Sequence, residues 1–234
     1  MHRFLVTETT KYGDDHICVA GALFRKGKYV GRKRLYLLSD KTRNSTYPRR
    51  GQVGVAQMLE IAELQEGVVS TGLKDASEHY PREARLEDLT VRRDKMRLVN
   101  VSGESTPEII DMFRQDLPPW FDLQKYLPNF VVKRSRKIFC SRGLDFSKIE
   151  SLFYFSFPVA DISFSEMEGD DYLEFDDMRI KIISDSHNAT DYRELLSQNP
   201  GTAVACIGIS QYFGDATSVA DNGYYLLCNE IYFI

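Results

Sequence analysis

HICVAGALFRKGKYVGRKRLYLL, residues 16–38, sets two apolar, β-prone runs on either side of the polar turn Arg25-Lys26-Gly27-Lys28. Val, Ile, Tyr and Phe suit a pleated surface and Gly admits the positive φ of a tight turn, so the stretch predicts a β-hairpin. Its charge directs the functional argument. Between residues 25 and 50 stand ten cations (Arg25, Lys26, Lys28, Arg32, Lys33, Arg34, Lys41, Arg43, Arg49 and Arg50) against one acid, Asp40. Such a density points to a polyanionic partner. The period of two puts Arg32, Arg34 and Tyr36 on one face of the second strand, with Lys33, Leu35 and Leu37 on the other. Cations interleaved with an aromatic ring are what single-stranded nucleic acid requires, charge tracking the phosphates and rings stacking on bases. A solvated charged sheet face is the other reading of the same pattern.

Outward from the hairpin, residues 2–9 (HRFLVTET) are a further β-prone run, joined to it through the turn residues Gly13-Asp14-Asp15. Residues 39–54 (SDKTRNSTYPRRGQVG) are a polar loop that supplies Lys41, Arg43, Arg49 and Arg50 to the candidate site. Residues 55–65 fit a helix face and a strand equally. The alternating charges over 76–97 predict an exposed loop or short helix, and Pro107 opens a short helix over 107–117 that Pro118-Pro119-Trp120 ends. A linker over 118–128 would then separate domains at 1–117 and 129–234. Beyond it, FVVKRSRKIFCSR (130–142) predicts a second basic strand, and SLFYFSFPVADISF (151–164) a core strand with Pro158 at an edge or bulge. Strands over 178–184, 202–211 and 224–234 and a short helix over 190–197 complete the chain. The fold class is mainly β with few short helices.

Composition removes several alternatives. At 234 residues, 43% hydrophobic and 27% charged, the chain can bury a core in one large or two small domains and is neither disordered nor fibrous in character. No run approaches the ~18 uncharged apolar residues of a membrane helix, and no apolar segment follows a basic start. A cytoplasmic protein with no membrane partner is expected. Cys18, Cys140, Cys206 and Cys228 are far apart, and buried free thiols are the expected state. The net charge of −4 divides unevenly: residues 1–148 carry 27 Lys/Arg against 19 Asp/Glu, and 149–234 carry 3 against 15.

Sites for chemistry are sparse. Between Asp161 and Asp177 there are eight acids and no base, but the cluster lacks the spacing of a calcium loop, so no metal is expected. Asp176, Asp177 and Lys181 only loosely match a nuclease pattern. His2, His16, His79 and His187 are scattered, no phosphate-binding Gly loop is present, and no catalytic residue or cofactor is expected.

Cys18-Val19-Ala20-Gly21 followed by Gly27, Tyr29 and the run 32–38, then Leu59-Glu60-Ile61, His79-Tyr80-Pro81 and the closing strands at 204–213 and 224–234, resemble the dual OB-containing domain family of bacteria. The resemblance implies two tandem OB-like β-barrels, a strand over 55–65, and nucleic-acid sensing in bacterial antiviral defence. OB barrels bind oligonucleotides across one sheet face and two loops. The expected function is therefore a non-catalytic nucleic-acid-binding sensor or adaptor, with single-stranded DNA or RNA favoured. Its site residues are Arg25, Lys26, Lys28, Arg32, Arg34, Tyr36, Lys41, Arg43, Arg49 and Arg50. The alternative is a protein-interaction or assembly subunit whose acidic second half docks a partner protein.

Overall fold

The computed structural model describes residues 1–12, 15–38, 45–66, 88–99, 113, 117–140, 144–145, 149–210, 213–215 and 218–234. The chain is mainly β. It divides into two compact units, Met1–Asp111 with Asp145–Leu152, and Met112–Leu144 with Phe153–Ile234.

In the first unit the predicted hairpin forms and lies against the N-terminal run: β1 (His2–Tyr12), β2 (His16–Arg25) and β3 (Lys28–Leu38) make an antiparallel meander. A two-residue β4 (Ser45–Thr46) pairs with the end of β3. β5 (Met58–Ile61) is antiparallel to β1, while β6 (Leu64–Glu66) is antiparallel to β7 (Asp88–Arg92), and β7 is parallel to β3. Only Ala62 and Glu63 separate β5 from β6, and both run in the same direction. They therefore act as one bent strand that joins β1 to β7 and closes the ring β1-β2-β3-β7-β6/β5. A three-stranded meander, a fourth strand returning to the first and a fifth parallel to the third is the topology of an OB barrel. β8 (Met96–Val99) adds to the outer side of β5.

Alternation fills this barrel. Phe4 and Val6 of β1, Ile17, Val19 and Leu23 of β2, Leu35 of β3, Leu59 and Ile61 of β5, and Leu89 and Val91 of β7 form one buried cluster. β1 curls around it through a register shift between Val6 and Glu8. Gly21, opposite Val6, leaves no room for a side chain: a Cβ there would overlap the Leu5 carbonyl oxygen and lie 2.9 Å from the Phe4 ring. Two readings are settled here. The ambiguous run 55–65 holds strands, as the resemblance implied, and Asp88–Arg92, read as part of an exposed loop or short helix, is a central strand buried on both faces except at Arg92. The flanking charges of 76–97 hid its Leu-x-Val alternation. Residues 76–87 lie outside the described residues, as does the helix predicted at 107–117 apart from Phe113, which is helical, and Leu117.

The second unit repeats the topology. β12 (Ile162–Met167), β13 (Asp170–Phe175) and β14 (Met178–Ile182) form the meander. β17 (Ser218–Phe233) is parallel to β14 and antiparallel to β15 (Thr202–Ile209), which borders β11 (Leu152–Pro158). Pro158 and the single turn Val159–Asp161 bend β11 into β12, closing the ring as the two-residue break does in the first unit. The helix Ala189–Gln198 connects β14 to β15; Asn188 caps it in a reciprocal box with Asp191, and Ala189 and Tyr192 face the core. A short β16 (Phe213–Asp215) pairs back on β17.

Two expectations change in this unit. Residues 118–128 are packed wall, not linker: Trp120 meets Phe155 and Phe175 edge-on at 5.2 and 4.6 Å and stacks on Phe157, while Leu123 and Leu127 are buried. The Pro-Pro pair that suggested a boundary starts the helical turns that hold this wall. In place of one strand, 130–140 holds two short ones, β9 (Val131–Val132) and β10 (Ile138–Cys140), paired around a turn with Arg136 at φ +64°, and 141–142 lie outside the described residues. β10 pairs in turn with β17. This segment moves its cations into the acidic unit, so the charge asymmetry shrinks: the first unit carries 20 Lys/Arg against 18 Asp/Glu, the second 10 against 16. All four cysteines are free thiols, and Cys140, Cys206 and Cys228 are buried. Among the described residues no helix is long and apolar enough to cross a membrane.

Candidate nucleic-acid interface

The outer face of the β2–β3 hairpin is the surface on which the predicted site residues converge or separate. Pairing puts Arg34 opposite Ala20, Arg32 opposite Ala22, and Tyr29 opposite Phe24. Between Leu23 and Phe24 the register shifts by one, at Gly31 with φ +148°. This bulge turns Tyr29 onto the face that carries Arg32, Arg34 and Tyr36; strict alternation would put it with Lys33. Phe24 and Tyr29 have ring centroids 5.9 Å apart, and the Arg32 charge lies near the Tyr29 hydroxyl. Burial raises the pKa of that hydroxyl against the opposing pull of Arg32.

Exposure falls steadily along this row. Tyr29 is 43% exposed, Arg32 half-buried, Arg34 6% and Tyr36 0% exposed. Arg34 and Tyr36 are thus removed from the expected open face. Arg34 sits 3.2 Å from Asp88, itself fully buried, and donates a second hydrogen bond to Ser151 at 3.4 Å. Tyr36 packs against Tyr47 with centroids 5.2 Å apart. The reason lies in sequence-distant segments: β7 brings Asp88 beside Arg34, and residues 145–152 return to this unit. Tyr36 cannot stack on a base where it stands.

At the other end of the row the turn is open. Lys26 and Gly27 both adopt positive φ, +50° and +76°, and Lys26, Lys28, Tyr29 and Val30 are exposed. Arg25 forms an ion pair with Glu66 at the end of β6, and Lys33 approaches the same carboxylate at 3.7 Å. Arg49 and Arg50 are exposed but belong elsewhere: Arg49 bridges to His16 and the Arg50 amide bonds to the Asp15 carbonyl, at the opposite end of β2. Ten strand residues at ~3.3 Å each separate them from the turn by about 30 Å. Lys41 and Arg43 lie outside the described residues. The structure therefore gathers Arg25, Lys26, Lys28 and Arg32 at the hairpin tip and adds Tyr29. Gly31 inside a strand pattern was the sequence signal for that addition.

The corresponding strands of the second unit present a different surface. Here cations and acids of the one unit neutralise each other: Arg136 lies 3.6 Å from Glu174, and Lys181 2.6 Å from Asp170. Arg179 and Lys137 cover the Tyr172 ring at 5.0 and 5.6 Å. Lys133 lies 3.8 Å over Phe139 and donates to the Tyr225 hydroxyl at 3.3 Å. Asp170, Asp171 and Glu174 are strand residues, and among the described residues no group of three His, Cys, Asp or Glu is placed to hold a metal ion.

One constellation was invisible in the sequence. Glu230, 1% exposed on β17, accepts hydrogen bonds from Ser184 at 3.0 Å and from the Tyr192 hydroxyl, and pairs with His187 Nδ1 at 3.1 Å. The hydrogen bond to Glu230 raises the pKa of His187, and burial pushes that of Tyr192 well up. Ser184 Oγ donates to the carboxylate, not to the imidazole, and accepts from the amides of Ser186 and His187. That is not the arrangement of an activated nucleophile. The network ties the start of the helix to β17.

No family model and no curated protein matches the chain. Among solved structures, it is similar to a murine DNA binding protein bound with ds DNA, at 6% identity over 99% of this chain and 96% of that one, with a TM-score of 0.31. At that score the likeness carries no argument.

Proposed function

We propose that the chain is a non-catalytic nucleic-acid-binding protein that contacts a single strand of DNA or RNA through the β2–β3 tip of its first barrel. The observation that carries this reading is the open end of the hairpin face, where Tyr29 is 43% exposed beside Lys26, Lys28 and Arg32. A ring offered to a base with cations in reach of the flanking phosphates is the minimal element of single-strand binding. It lies on strands two and three of an OB barrel, the face such barrels use for oligonucleotides. The resemblance to the dual OB-containing domain family extends the reading to a sensor or adaptor in bacterial antiviral defence. The test is a titration of labelled single-stranded DNA, duplex DNA and RNA at several salt concentrations. Log affinity for the single strands should fall linearly with log salt, by about 0.7 per phosphate contact. Absence of binding to all three at low salt refutes the proposal.

A further inference from the structure

Glu60, Glu63 and Glu66 stand at three-residue steps on the bent fourth strand of the first barrel, and each holds a cation. Glu60 pairs with Arg97, Glu63 lies 3.8 Å from Lys95, and Glu66 takes Arg25 and Lys33. Glu66 alone among them holds two cations of the β2–β3 hairpin, one of them, Arg25, directly before the turn that is flanked by the exposed Lys26 and Lys28. A carboxylate and a phosphate are both oxyanions and compete for the same guanidinium and ammonium donors.

Building on the function proposed above, we infer that Glu66 is a built-in competitor for phosphate at the hairpin tip. A bound strand must displace its carboxylate before Arg25 can contact the backbone, so Glu66 sets the charge density a ligand needs in order to bind. A flexible polyanion that brings several phosphates to the tip at once displaces it; a single phosphate does not. Arg25 and Glu66 are 41% and 36% exposed at their side chains, so the exchange takes place in water and needs no opening of the core.

The full-length protein and its Glu66→Gln and Glu63→Gln variants test this with a labelled oligothymidine titrated over a range of salt. Glu66→Gln preserves the side-chain shape and removes the negative charge. It should bind more tightly, by at most about fivefold at low salt as an exposed ion pair allows, with a salt slope steeper by about 0.7 for each cation released to the strand. Glu63→Gln makes the same change in net charge three residues away and should leave affinity nearly unchanged. Adding Arg25→Ala to Glu66→Gln should abolish most of the gain. If the wild type binds and Glu66→Gln matches it, or Glu63→Gln gains as much, the competitor role is overturned while the binding function stands. If neither the wild type nor Glu66→Gln binds at low salt, the function itself fails.

Discussion

Arg34→Ala separates the structural reading of the hairpin from the one that charge alone suggests. Arg34 is 6% exposed, its partner Asp88 is fully buried 3.2 Å away, and Ser151 receives its second donor. Removing the guanidinium leaves a carboxylate with no counter-charge from Arg34 inside the barrel wall. Breaking a buried pair in this way costs about 3–5 kcal/mol, against a total stability of roughly 5–15 kcal/mol for a domain. With a urea m-value of about 2 kcal/mol/M, the midpoint of the first unit should fall by roughly 1.5–2.5 M. The sole Trp, Trp120, belongs to the second unit, so its fluorescence follows that unit while far-UV circular dichroism follows both. The dichroism transition should move to lower urea and the fluorescence transition should stay. Replacing both partners, Arg34→Met with Asp88→Leu, should recover most of the loss, because an apolar pair of similar volume avoids the desolvation of two ions. An Arg34→Ala midpoint within 0.3 M of wild type, roughly 0.6 kcal/mol at that m-value, would refute the assignment and return Arg34 to the candidate interface.

Three further outcomes follow from the packing. Trp120→Ala should destabilise the second unit by about 3–5 kcal/mol in urea melts followed by dichroism, as loss of a buried aromatic does, whereas a linker residue would cost almost nothing. Gly21→Ala should cost the first unit at least the ~1–3 kcal/mol of overpacking, because the added Cβ meets backbone of β1 that has no rotamer to change. His187 has its pKa raised by the hydrogen bond to Glu230, so its contribution to stability is complete below the unfolded value of 6.5 and is lost as pH rises through the higher folded value. Urea midpoints of the second unit should therefore decline across that window, and His187→Gln should flatten the decline.

Much of the fold was readable because strands announce themselves locally. The hairpin, the N-terminal strand, the helix near residue 190 and the closing strands all form as alternation and turn chemistry require. What failed was whatever depended on residues distant in sequence. Tyr36 and Arg34 carry the same local signature as a solvated face, and it is Asp88 of β7 with Ser151 beside Arg34, and the Tyr47 ring against Tyr36, that make them interior. Trp120 follows two prolines, a pattern shared by linkers and by packed helical turns, and the aromatic partners that decide between them lie more than thirty residues on. Tyr29 was left out of the candidate site for a local reason: a one-residue bulge at Gly31 reverses the faces of everything on its turn side. The charge split divided the chain at residue 148, but the fold assigns the cations of 130–142 to the acidic unit, where Arg136 and Glu174 meet.

The central claim is that binding resides at the hairpin tip, and the most direct measurement compares salt-dependent single-strand affinity for the wild type, for Lys26→Ala with Lys28→Ala and Tyr29→Ala, and for Arg49→Ala with Arg50→Ala. The tip variant should lose about 1–3 kcal/mol from the ring and flatten the salt slope by roughly 1.4 for two phosphate contacts. The Arg49 and Arg50 variant, about 30 Å away along β2, should retain most of the affinity. Equal losses from the two variants would mean a diffuse positive field and would contradict a site built on Tyr29.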